Sequence, residues 1–96
     1  MIVVRSNLRR WSGDRATWHF ISVPPEDSVE IRAHGLADRR GFGSVRVEAS
    51  INGVRWRTSL FPQKSGGYLL PVKTAVRRKA DIEVDDPVTV ELELLS

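Results

Sequence analysis

Lys73 and Arg77 stand four residues apart in a segment, Lys73 to Ala80, whose pattern predicts two turns of helix, so their cationic groups share one side of it. Arg78 also faces outward from that helix, and Arg57 projects from the polar face of a hairpin at residues 44–61. If helix and hairpin adjoin, these groups converge on a phosphate or a carboxylate. Ser59 shares the hairpin face with Arg57, and Tyr68 opens the next extended segment. Arg57, Ser59, Tyr68, Lys73, Arg77 and Arg78 are therefore the candidate ligand- or partner-binding residues. The competing role for these cations is ion pairing with Glu48, Glu91 and Glu93.

Other chemistry finds fewer partners. His19 and His34 have no histidine or carboxylate neighbours at metal-ligand spacing, and the chain has no cysteine, so neither a metal site nor thiol chemistry is expected. Ser59, between Thr58 and Leu60, has no adjacent base to activate it. Asp81, Glu83, Asp85 and Asp86 offer hard oxygen ligands without the spacing and glycine of a calcium loop, and turn formation explains them more simply. Arg40 to Val47 partly matches the RNA-recognition octamer, but Ser44 and Val47 stand where aromatic residues would supply the stacking platform. No catalytic residue and no cofactor motif is assigned. Of the aromatic residues, Trp18, Phe20 and Trp56 fall on faces read as core, whereas Trp11, Phe42 and Tyr68 sit at strand ends or loops and are the better candidates for contact with a partner.

The 96 residues are expected to form one domain, residues 1–96, with enough chain for a core that needs no staples. The apolar opening, Met1 to Val4, is too short for a signal segment or a membrane span, so a cytoplasmic location and no membrane association are expected. Net charge is +3 and the sequence pI about 10.0. Residues 1–80 carry all 15 basic residues and six of the 12 acidic ones, a net +9, while residues 81–96 carry the other six acids and no base, a net −6. A last strand lying beside the arginine-bearing hairpin would neutralise much of the basic surface within the fold.

The elements that must position these groups are mostly strands. Asn52-Gly53 is the pair that a two-residue type I′ turn requires, because both positions need positive φ. Counting outward pairs Ile51 with Val54, Ala49 with Trp56, Glu48 with Arg57 and Val45 with Leu60. This register places Val45, Val47, Ala49, Ile51, Trp56 and Leu60 on one face and Arg46, Glu48, Arg55, Arg57 and Ser59 on the other. Met1 to Trp11 reads as an opening strand, and Ser12-Gly13-Asp14 as a turn into a strand from Ala16 to Val23. That strand is apolar on both faces and is expected to be covered on both. Pro25 starts a helix running to about His34, with Val29, Ala33 and Leu36 as its inward stripe and Gly35 as its stop. Tyr68 to Val72 is short and extended, and Pro71 places it near an edge. In the following helix Val72, Ala75, Val76 and Ala80 face inward. Val88, Val90, Leu92 and Leu94 line the core from the last strand.

Three ordered segments resemble a known bacterial family. They are Trp56-Arg57-Thr58-Ser59-Leu60-Phe61-Pro62, Gly67 to Lys73 with Ala75-Val76-Arg77-Arg78, and Val88 to Leu94. Trp18-His19-Phe20 through Pro24 and Arg40 to Ser44 extend the likeness over nearly the whole chain. The family is domain of unknown function DUF1905, found alone or fused to a bacteriocin-protection, OmpD-associated type domain. The resemblance implies a compact β-barrel-like fold with short helices, similar to the double-split barrels of the AbrB and MazE type, and no established activity. Similar proteins usually carry Gly-Asp before the last strand, where this chain has Asp85-Asp86, so another turn geometry is expected there.

The fold expected is thus mainly β, a small barrel-like antiparallel sheet of the double-split barrel type with two short helices, with a ferredoxin-like α+β sheet as the alternative. The function expected is a non-catalytic binding or interaction module. One alternative is nucleic-acid binding through Arg39, Arg40, Arg46, Arg55, Arg57, Arg77 and Arg78. The other is a binder of small anionic ligands, or an enzyme, at a barrel mouth near Trp11, Tyr68 and Lys73. Homodimer formation through an uncapped edge strand is the partner expectation.

Overall fold

The computed structural model describes residues 1–38 and 43–95; the expectations that rest on Arg39, Arg40 and Phe42 lie outside the described residues. Asn52 and Gly53 take φ of +50° and +81°, as a type I′ turn demands. The hairpin they close pairs β4 (Val45–Ile51) with β5 (Val54–Pro62) in the counted register, from Ile51 opposite Val54 to Val45 opposite Leu60. Its apolar row is the core row: Val45, Val47, Ala49, Ile51, Trp56 and Leu60 are all buried.

Around the hairpin the described residues form seven antiparallel strands in a curled, half-barrel sheet of order β1-β7-β4-β5-β6-β3-β2. The other strands are β1 (Ile2–Asn7), β2 (Arg9–Ser12), β3 (Thr17–Val23), β6 (Tyr68–Pro71) and β7 (Pro87–Leu94). This order excludes the ferredoxin-like alternative. The opening segment is two strands, not one, and they stand at opposite ends of the order. Leu8 joins them. It is fully buried, its amide donates to the Asp86 carbonyl (3.1 Å) and its carbonyl accepts from the Asp85 amide (2.8 Å). A single covalent link between the two outer strands forces the sheet to curl back on itself, and β1 packs against β3.

Asp85 takes φ of +72°, the left-handed region that glycine occupies most easily. Arg9 Nη1 holds its carboxylate at 3.1 Å.

Strand β6 is interior, between β5 and β3, contrary to the edge position expected from Pro71. The proline is accommodated by register. The Val72 amide donates to the His19 carbonyl (2.9 Å), so the neighbouring pair Phe20–Pro71 is one that exchanges no hydrogen bonds. The nitrogen of Pro71 therefore points toward β5, whose pairing with β6 ends at Phe61–Leu69.

Helix α1 (Val29–Asp38) follows a single 3₁₀ turn at Pro25–Asp27. Its inward line is Ser28–Ile31–Gly35 rather than Val29–Ala33–Leu36. Ser28 and Ile31 are fully buried while Val29 and Leu36 are exposed. The entry sets this rotation, because Ser28 Oγ donates to the Pro24 carbonyl (2.7 Å) and carries Ile31, three residues on, to the same side. Gly35 is not a stop. A Cβ there would lie 3.0 Å from Val45 Cγ2, so the helix passes close over β4 at the point where it has no side chain.

Helix α2 (Thr74–Ala80) buries Val76 and Ala80 and leaves Ala75 exposed. Asn52 Nδ2 donates to the Ala80 carbonyl (2.8 Å) and ties the hairpin turn to the end of this helix. The core thus lies within the curl of the sheet. Val4, Ile21, Val23, Leu70, Val90 and Leu92 complete it with no exposed surface, each such side chain contributing roughly 1.5–3 kcal/mol.

Candidate functional site

The outer surface of the sheet, away from that core, changes character along its width. Directly opposed residues share a face, as do residues two apart on one strand. Trp11 opposes Trp18, Phe20 opposes Pro71, and Leu69 opposes Phe61, so these six side chains lie on one surface of β2, β3, β6 and the end of β5. Two steps back along β5 from Phe61 come Ser59 and then Arg57, where the charged half begins. Trp11 is 56 % exposed, Trp18 57 % and Phe61 49 %. With His19 at its rim, this apolar surface encloses a cleft of about 400 Å³.

Trp18 and Phe20 are therefore not core residues as expected, although Trp56 is. The strand from Thr17 to Val23 is apolar on both faces but covered on one only: Ile21 and Val23 point into the core, while Trp18 and Phe20 face outward. Two short helices cannot cover both sides of a seven-stranded sheet, and α1 and α2 lie against β4 and β5.

A second cavity of about 380 Å³ adjoins the first across Trp18, His19 and Pro71, and is lined further by Thr17, Val72, Lys73, Thr74 and Arg77. No carboxylate among the described residues borders either cavity. Arg77 Nη2 donates to Thr74 Oγ1 (3.0 Å), while its Nε is shut off from solvent and meets no acceptor among the described residues. Burial, and then the guanidinium groups of Arg77 and Arg10, hold the His19 imidazole below its ordinary pKa of 6.5.

The structure divides the expected binding set. Lys73 and Arg77 border the second cavity. Arg78 does not border it and instead lines a separate hollow with Arg77, Asp81, Ile82 and Glu83. Arg57 does not join them; it sits on the charged sheet face and pairs with Glu48 at 3.4 Å. Ser59 lies beside Arg57, half-buried and opposite Arg46. Tyr68 is only 5 % exposed and belongs to the core. Strand β7 does lie beside β4, where Glu93 opposes Glu48 and Glu91 opposes Ser50, so acids are interleaved with Arg46, Arg55 and Arg57 on that face.

The family described as Domain of unknown function (DUF1905) matches residues 5–92. The chain belongs to this family. No curated protein matches it. The DUF1905 match spans β2 to β6 and parts of β1 and β7, and so takes in both the aromatic cleft and the basic cavity beside it. No helix among the described residues is long and apolar enough to cross a membrane. Among those residues, too, no group of three or more histidine, aspartate or glutamate side chains is placed to hold a metal ion.

Proposed function

We propose that this DUF1905 domain is a non-catalytic binding module, and that its ligand is a small, flat, largely apolar molecule seated in the cleft of Trp11, Trp18, Phe20, Phe61, Leu69 and Pro71. The observation that carries the reading is the register, which forces six apolar side chains onto one sheet face, where Trp11, Trp18 and Phe61 stay about half exposed. Monomeric proteins seldom leave a contiguous aromatic surface open unless something binds there. Three half-exposed rings leave roughly 100 Å² each accessible, so covering them contributes about 7 kcal/mol before the costs of association. A non-catalytic role is supported by the surroundings of His19, the one ring nitrogen pair at the cleft, whose charged neighbours are arginines rather than a carboxylate that would orient it as a base.

Isothermal titration calorimetry with 2-naphthamide tests this. Binding is expected with a dissociation constant on the order of 0.1 mM, from about −0.4 kcal/mol per non-hydrogen atom. Trp18→Ser should abolish it. Absence of binding, together with tight and steeply salt-dependent binding of a fifteen-nucleotide oligothymidylate, would replace this reading by the nucleic-acid one.

A further inference from the structure

The cleft adjoins a basic cavity, and the two share three wall residues, Trp18, His19 and Pro71. A molecule filling the first therefore presents one end to Lys73, Thr74 and Arg77. We propose that this second cavity is the subsite for an anionic group, so that the ligand of the DUF1905 cleft is an aromatic or similarly flat carboxylic acid, with Arg77 as the residue that selects it. The proposal rests on the cleft being a binding site, as argued above.

Three observations carry it. Charge on the cavity wall is one-sided: Lys73 and Arg77 line it, Arg10 lies opposite His19 across β2 and β3, and no acid among the described residues borders either cavity, Asp81 and Glu83 meeting Arg77 only at a separate hollow. Arg77 is also partly fixed in place, because its Nη2 donates to Thr74 Oγ1 at 3.0 Å. Its Nε is closed off from solvent and meets no acceptor among the described residues, so the donors it presents to the cavity are its Nη–H groups. A guanidinium held in this way offers its outer Nη–H edge to the cavity, and a planar carboxylate accepts two such donors at once. The cleft itself supplies almost no hydrogen-bonding group, so the apolar body decides depth and the acid decides orientation.

The matched pair 2-naphthoate and 2-naphthamide separates the two halves of the site, since the molecules share shape and differ in charge. By calorimetry at low salt the wild-type chain should bind the acid about tenfold more tightly than the amide. Arg77→Gln should bring the two to parity by weakening the acid alone. Arg77→Lys, which keeps charge and loses the fork, should recover only part of the preference. Inorganic phosphate and acetate should compete weakly with the acid and not with the amide. Equal affinity for both probes in the wild type, or an undiminished preference in Arg77→Gln, overturns the proposal while leaving the apolar cleft standing. Failure of both probes to bind removes the cleft and the subsite together.

Discussion

The indole of Trp11 lies across the backbone of Gly13, in the space that a side chain at position 13 would occupy; a Cβ there would sit 2.7 Å from Cζ3 of the ring and closer still to Cη2. The glycine is thus what lets this wall of the cleft lie flat at the end of the β2–β3 hairpin. Gly13→Ala should displace the ring rather than the fold, because the overlapping atoms are the free end of a half-exposed side chain. The expected result is a stability change under about 1 kcal/mol with affinity for 2-naphthamide weakened by about three- to tenfold. Urea unfolding and calorimetry on the same variant check both parts, and unchanged affinity would show that Trp11 is not a wall of the site.

Trp18 and Trp56 look alike in sequence and are opposite in role. Trp18→Ser should cost less than about 1 kcal/mol, since the ring is mostly solvated, whereas Trp56→Ala should cost about 3–5 kcal/mol by emptying a buried site. Chemical denaturation of the two variants distinguishes them. Equal losses would mean that the outer face of β3 is covered after all.

Asn52 has two separable tasks. Its φ of +50° serves the turn, and its amide nitrogen reaches the Ala80 carbonyl at the end of α2. Asn52→Gly keeps the first and loses the second, and should cost about 1 kcal/mol, while Asn52→Ala loses both and should cost about 2 kcal/mol. Thermal melts rank the three proteins. Hydrogen exchange at the Ala80–Ile82 amides should speed up in both variants, because that end of α2 is what the bond restrains.

Protonation of His19 is disfavoured in the fold by burial and by Arg77 and Arg10, so its folded pKa lies below the 6.5 it has when unfolded. The unfolded chain then binds the proton first as pH falls, and the native state loses stability on descending through about pH 6.5 until His19 titrates in the fold too. Above that window the residue contributes no pH dependence. His19→Gln should flatten the fall in denaturation midpoint between about pH 7.5 and pH 5.5. An acid seated on Arg77 would offset part of the positive field, so 2-naphthoate, unlike 2-naphthamide, should bind more tightly as pH falls across the same window. A pH-independent preference for the acid would show that His19 is too far from the anion to sense it.

Much of the fold was legible before any coordinates because it is written in short-range rules. Asn52-Gly53 admits essentially one kind of tight reversal, and from it the register of β4 on β5 and the buried row through Trp56 follow by counting. The last strand likewise declares its inner face by strict alternation of Val88, Val90 and Leu92 with Thr89 and Glu91. Local pattern failed where two faces were equally apolar or a helix was weakly amphipathic. Nothing near Ile31 announces that Ser28 will bond to Pro24 and turn it inward, and nothing near Gly35 announces that Val45 will press against it.

The candidate site is the larger case of the same limit. The residue types that make it were visible one by one, with Lys73 and Arg77 already paired by helical spacing. Periodicity also showed that Thr17 to Val23 carries apolar groups on both sides. Which side becomes core depends on where α1 and α2 pack, and they pack over β4 and β5. That leaves Trp18 and Phe20 outside with Trp11, Phe61, Leu69 and Pro71 gathered from three other strands. Composition and alternation determine that a face is apolar, but only the global arrangement of layers decides whether it is covered. The curl imposed by Leu8 and the interior place of β6 decided it here, because burial depends on what lies above a strand and alternation reports only the strand itself.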